Sequence, residues 1–241
     1  MSVVTEYARP REFIALAAFL MATIAFAIDM MLPAMGQMAI DLEPSEPARI
    51  SWVILGIFAG LIFGQLVFGP LSDAIGRRGS IQIGIAIFLI GTGVCALTDS
   101  FEVLIAGRVL QGFGGAATRI VTQAMVRDRF AGREMARVMS FVMTIFILVP
   151  IFAPMIGQVV LWFGNWQMLF VTLGGFSAII LGWFSLRQPE TLTHRRTITV
   201  SHLSEALRTV LTNEQSLRFT LATGVSFGGL VSYLSSAQHI F

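Results

Sequence analysis

Charge is what this sequence has least of. Acidic and basic residues fill 12% of its 241 positions, about half the roughly 25% usual in soluble domains. Hydrophobic residues fill 55%, and the mean hydropathy is +0.78. A soluble domain would show much of that apolar surface to water, so the chain reads as a membrane protein. There is one cysteine, Cys95, and hence no internal disulfide. The three histidines, His194, His202 and His239, offer no metal-ligand spacing, and neither metal nor cofactor is expected. Lysine is absent altogether, for all 16 basic residues are arginine. That excludes lysine Schiff-base chemistry and, with it, a seven-helix retinal receptor. A pI near 9.3 would suit a nucleic-acid binder, but the placement of the arginines gives a better account and leaves no nucleic-acid partner.

What the chain does have is long apolar runs. Stretches able to cross a hydrocarbon core of about 30 Å lie near Phe13–Met38, Ile50–Leu71, Ile81–Leu97, Val103–Met125, Val138–Phe163, Met168–Leu186 and Leu217–Phe241. The first continues past its would-be signal cleavage site, so it is read as a helix. Thirteen arginines fall in the tail and connections of one side: Arg9, Arg11, Arg77, Arg78, Arg127, Arg129, Arg133, Arg137, Arg187, Arg195, Arg196, Arg208 and Arg218. Only Arg49 lies opposite, while Arg108 and Arg119 sit inside the fourth span. Excess arginine marks the cytoplasmic side and places the N-terminus there. The organisation expected is a tail over 1–12, a six-helix bundle over 13–186, a cytoplasmic loop over 187–216 and a seventh helix over 217–241. Within the loop, Val200, Leu203, Leu207, Val210 and Leu211 recur at helical spacing, as in a short helix lying on the membrane or a plain linker helix.

The connection after the second span runs Gly69-Pro70-Leu71-Ser72-Asp73-Ala74-Ile75-Gly76-Arg77-Arg78-Gly79. Its composition alone describes a sharp turn with inner-surface arginines. Its order resembles the G-x-L-x-D-x-x-G-R-[KR] signature of the major facilitator superfamily, at Gly69, Leu71, Asp73, Gly76, Arg77 and Arg78. Ala74 departs, standing where that family often has a base. In span four, Arg108-Val109-Leu110-Gln111-Gly112-Phe113-Gly114 resembles the family's R-x-x-Q-G-x-G. At about 100° per residue, Arg108, Gln111, Gly112, Gly115, Arg119, Thr122 and Gln123 share one face, which should line a wet cavity or meet partner helices. A structural ion pair is the plainer role for either arginine, and the motif match favours a functional one for Arg108.

Span one carries Asp29, the one acid well inside a span, with Ala18, Ala22, Ala25, Pro33 and Gly36 on its face. By a rise of about 1.5 Å per residue, Asp29 and Arg108 lie at similar depth below the outer surface. Asp29 is then a member of a fixed ion pair, a polar packing contact, or the residue that takes up and releases protons, coupled to Arg108, Gln111 and Arg119. Gly56, Gly60 and Gly64 make a row suited to close helix packing. In span five, Pro150 and Ala153-Pro154-Met155-Ile156-Gly157-Gln158 resemble a weakened form of the family antiporters' G-P-x-x-G-G motif, a site for a bend. Asp128 is placed to bridge to Arg77.

Together these segments resemble the bicyclomycin/chloramphenicol resistance branch of the drug:proton antiporters, from about Phe13 to Leu186. The resemblance implies an all-α membrane protein: the six-helix N-terminal half of a twelve-helix fold plus a seventh helix. It also implies export of small amphipathic drugs in exchange for protons, in a bacterial inner membrane. The missing C-terminal half, or a second copy, would be a partner beside the lipid bilayer. Rival readings are a metabolite transporter of the same superfamily, an inactive truncated half and a seven-span receptor, which the arginine count opposes. An enzyme is not expected: Gly224-Val225-Ser226-Phe227-Gly228 spells G-x-S-x-G, but inside an apolar helix with no preceding strand.

Overall fold

In lipid every backbone polar group must be satisfied within the protein, so long apolar runs become helices. The computed structural model describes residues 10–43, 47–193 and 212–237, and no strand occurs among them. Helix α1 spans Pro10–Asp29, followed by a 3-10 turn at Leu32–Ala34 and the short α2 at Met35–Asp41. A second 3-10 turn, Pro47–Ser51, leads into α3 (Trp52–Ile75), α4 (Arg77–Leu97), α5 (Phe101–Arg129), α6 (Gly132–Leu161) and α7 (Gln167–Arg187). Helix α8, Glu214–Ala237, belongs to a separate compact unit that begins at Arg196. The surface helix expected around Val200–Leu211 lies outside the described residues.

Helical segments stand at all seven expected places. Five are long and apolar enough to span a membrane by length and composition: Arg11–Asp41, Arg49–Ile75, Arg77–Leu97, Gly132–Leu161 and Gln167–Arg187. Helices α5 and α8 are not among them, which departs from the seven spans expected. In α5 the reason is visible: Arg108, Gln111, Thr118 and Thr122 are buried inside the bundle, where partner helices rather than lipid surround them. In α8 the apolar run is diluted by Glu214, Gln215, Ser216, Arg218 and Thr220.

Helix α5 is the hub of the first unit. It packs along α3 and α4 and also meets α1, while α4 packs on α7 and α1 on α6. Glycine makes this proximity possible. A Cβ on Gly60 would collide with the Val109 carbonyl and the Phe113 amide, and one on Gly112 with the Ile57 carbonyl, so α3 and α5 touch backbone to backbone. Gly84 and Gly91 of α4 meet Gly114 and Gln111 in the same way. Without a hydrophobic drive between helices in lipid, such close packing supplies much of the association energy. Helix α6 is the least enclosed, turning Ile147, Ile151, Phe152 and Met155 outward.

Two segments differ from the sequence reading. The first span is not one helix to Met38; α1 stops at Asp29 and the chain turns through Met30 and Met31. Pro33 has no N–H to continue an α-helical ladder and disfavours helix at the residue before it, so it opens the tighter 3-10 turn instead. The loop after span two is also shorter than expected. Helix α3 continues through Pro70 to Ile75, and the reversal is made by Gly76 alone, at φ 107°. That left-handed φ is open to glycine at little cost.

Candidate functional site

The outer half of the bundle holds a buried polar network centred on Arg108, which has 0% exposure. Its Nε donates to the Val53 carbonyl of α3 at 2.9 Å, and Nη1 donates to the Ala27 carbonyl of α1 at 2.9 Å. Nη1 also donates to Gln111 Oε1 at 2.6 Å. Gln111 Nε2 in turn donates to Thr92 Oγ1 of α4 at 2.8 Å, and that hydroxyl donates to the Phe88 carbonyl. The guanidinium lies 5.8 Å from the centre of the Phe170 ring on α7. Four helices therefore meet at one side chain, and Gln111 ties in α4 as a fifth. The last carbonyls of a helix have no partner within it and carry the negative end of its dipole. Arg108 thus closes the α1 terminus with a cation, bound to carbonyls and not to a carboxylate. Its Nη2 is buried with no hydrogen-bond partner.

Asp29 ends α1, two residues beyond that contact, and is 6% exposed. Among the described residues it makes no hydrogen bond or ion pair, with Arg108 or any other group. The turn that follows Asp29 is held by α6: a Cβ on Gly157 would strike the Met30 carbonyl, and the Pro33 ring lies against the same position. Helix α6 runs unbroken through Pro150 and Pro154, so Gly157 is the point where the helix-five motif meets the α1 break.

The remaining polar face of α5 is divided among neighbours. Gly112 faces α3, while Gly115 faces Ile24 of α1 and Phe88 of α4. Arg119, half-buried two turns below Gly112, makes no hydrogen bond, ion pair or ring contact among the described residues.

A second cluster ties the inner ends together. Arg77 Nη1 donates to Asp73 Oδ1 at 2.6 Å and to Ser72 Oγ at 2.7 Å, and Nε donates to Asp128 Oδ2 at 2.9 Å. One guanidinium thereby joins the end of α3, the start of α4 and the end of α5. Arg78 Nη2 donates to the Ser185 carbonyl of α7 at 2.6 Å. Gly69 has open space around it and Leu71 packs half-buried against the core.

One residue of this cluster is absent from the sequence reading. Glu190, just past α7, accepts the backbone N–H of Arg77 at 2.9 Å and of Arg78 at 3.2 Å, and also those of Thr191 and Leu192. A carboxylate at the free N–H groups of a helix start is favoured by charge and by hydrogen bonding. Gly76 leaves the room, since a Cβ there would meet that carboxylate. An acid after a proline in an arginine-rich connection was the available signal. Glu190→Ala is expected to speed amide exchange at Arg77 and Arg78 by about ten-fold or more, as charged hydrogen bonds worth roughly 1.5–3 kcal/mol are lost. Exchange mass spectrometry of the α4 start measures this, and unchanged protection there would show the contact to be dispensable.

A family model described as Major Facilitator Superfamily matches residues 14–241. A bicyclomycin resistance protein homolog of Haemophilus influenzae is 28% identical over 90% of this chain and 54% of its own length. Multidrug resistance protein MdtL of Klebsiella pneumoniae is 30% identical over 86% of this chain and 53% of its own. Among solved structures, the human organic anion transporter MFSD10 (TETRAN) superposes with a TM-score of 0.62 at 19% identity, over 82% of this chain and 53% of that one, a likeness of fold. The chain spans about half the length of the curated relatives it matches.

Proposed function

This chain belongs to the Major Facilitator Superfamily, and on that premise we propose that it serves proton-coupled export of small amphipathic drugs by alternating access. The observation that carries the reading is Asp29: a carboxyl buried at the broken end of α1, without a partner among the described residues. Burying an unpaired charge is costly, and an ionisable group inside a membrane is by default a functional one. Protons are the ligand such a group can always bind. Arg108 grips the same turn through Ala27, so a change at Asp29 would be felt where α1, α3, α4 and α5 are tied together.

Relatives named for bicyclomycin and multidrug resistance support the choice of cargo. The inner cluster of Arg77, Asp73, Asp128 and Glu190 ties the inner ends of α3, α4, α5 and α7 into one body that rocks as a unit. Alternation needs a second wall opposite this bundle, from further residues, as in relatives about twice as long, or from a second copy. The outward apolar side chains of α6 suit that wall as well as lipid.

The test is drug accumulation in cells making the protein, using neutral bicyclomycin, cationic ethidium and anionic fusidate. Lowered accumulation of at least one, restored by a protonophore, is expected. Accumulation equal to that of cells lacking the protein for all three would overturn the reading.

A further inference from the structure

Arg108 joins α1 and α3 near their outer ends, but the two helices otherwise scarcely touch and are held apart by α5. Along the rest of their length the seam between them is floored by α5. Residues of α5 that bound this seam are fixed by their contacts: Gly112 and Ala116 lie on α3, Gly115 on α1. Arg119 follows Gly115 by four residues and Ala116 by three, which places it on the same strip one turn further in. By a rise of about 1.5 Å per residue, it lies roughly 15 Å from the inner end of α5 and roughly 16 Å from Arg108. Asp29, at the level of Arg108, is out of its reach.

Arg119 is half-buried and, among the described residues, has no anion, carbonyl or ring as partner. A guanidinium at membrane depth is expensive and is normally paired. Thr122, on the same strip, is 1% exposed and its Oγ1 is without a hydrogen-bond partner. Gln123 lies half-buried beside it. A planar five-donor fork, a spare hydroxyl and an amide at i, i+3 and i+4 bring together N–H and O–H donors, and Thr122 Oγ1 among them is buried without a partner. Such a fork fits a carboxylate with two parallel hydrogen bonds.

We propose that Arg119, with Thr122 and Gln123, forms a binding site for the acid group of an amphipathic carboxylate at the seam between α1 and α3. The site rests on the export reading for the use made of the bound acid, not for the binding itself. The cargo is then an apolar body with a carboxylate, the body lying against α1 and α3.

Equilibrium dialysis of the purified chain in neutral detergent, against protein-free micelles, tests this with 2-naphthoate and its uncharged match 2-naphthamide. The chain is expected to bind naphthoate about ten-fold more tightly, the yield of one charge-assisted hydrogen bond. Arg119→Gln should erase that preference, Arg119→Lys should retain part of it, and Thr122→Val should weaken naphthoate alone. Because Arg119 makes no hydrogen bond, ion pair or ring contact among the described residues, and Gln keeps much of its stem, Arg119→Gln should keep wild-type helicity and elution. Equal binding of the two probes, no binding of either, or a preference that survives Arg119→Gln would overturn the site. Loss of export with this preference intact would sink only the export reading.

Discussion

Replacing Asp29 with asparagine is expected to reduce drug export to that of cells lacking the protein, with the chain still inserted and folded. Asparagine keeps the size and polarity of the side chain and removes only its capacity to carry a proton. Asp29 makes no ion pair or hydrogen bond that the amide would break among the described residues, so the fold has little to lose. The carboxyl sits where α1 ends and where Gly157 of α6 presses on the following turn. A charge gained or lost there acts on the two elements that hold the break. Drug accumulation, with membrane yield and thermal unfolding as controls, reads the outcome. Export at the wild-type level by Asp29→Asn would assign the proton site elsewhere.

The largest effect on stability is expected at Gly60. Alanine there adds a single methyl group, and that methyl would occupy the space of the Val109 carbonyl and the Phe113 amide. Backbone cannot swing aside as the tip of a side chain can, so α3 and α5 must separate along the densest contact of the bundle. Overpacking of this kind costs on the order of 3 kcal/mol, enough to remove most folded protein from a marginally stable membrane bundle. Gly93 in α4 is the control, for a Cβ there meets nothing within 4 Å. Gly93→Ala should change stability by no more than about 1 kcal/mol, in the favourable direction if helix propensity acts alone. Thermal unfolding in detergent distinguishes the two. Similar melting of both variants would show that the glycine contact is not what holds α3 to α5.

Where the sequence was legible and where it was not follows from the range of the forces involved. Apolar runs are local, and helices stand at each of the seven places they mark. The Gly56, Gly60 and Gly64 row was readable because a repeat of four places all three on one face of a helix. The end of α1 at Asp29 was harder: Pro33 announces a break, but the turn it forces begins several residues earlier. The polar strip of α5 was visible as a strip, whereas its division among α1, α3 and α4 depends on which helices crowd which side. Glu190 was missed because its partners are backbone N–H groups, 113 and 112 residues away in the chain. A main-chain donor has no residue type to recognise. In sequence Pro70 lies within the connection after the second span, yet α3 carries it, with Ser72 Oγ donating back to the Gly69 carbonyl at 2.8 Å.

The central claim is that Asp29 couples drug movement to proton movement. The most direct measurement is proton flux in proteoliposomes of the purified protein, with a pH-sensitive dye trapped inside and whichever of the three drugs cells export added outside. Drug-dependent proton flux is expected in the wild-type protein and none for Asp29→Asn. Drug transport without proton movement, or an undiminished flux in Asp29→Asn, would contradict it.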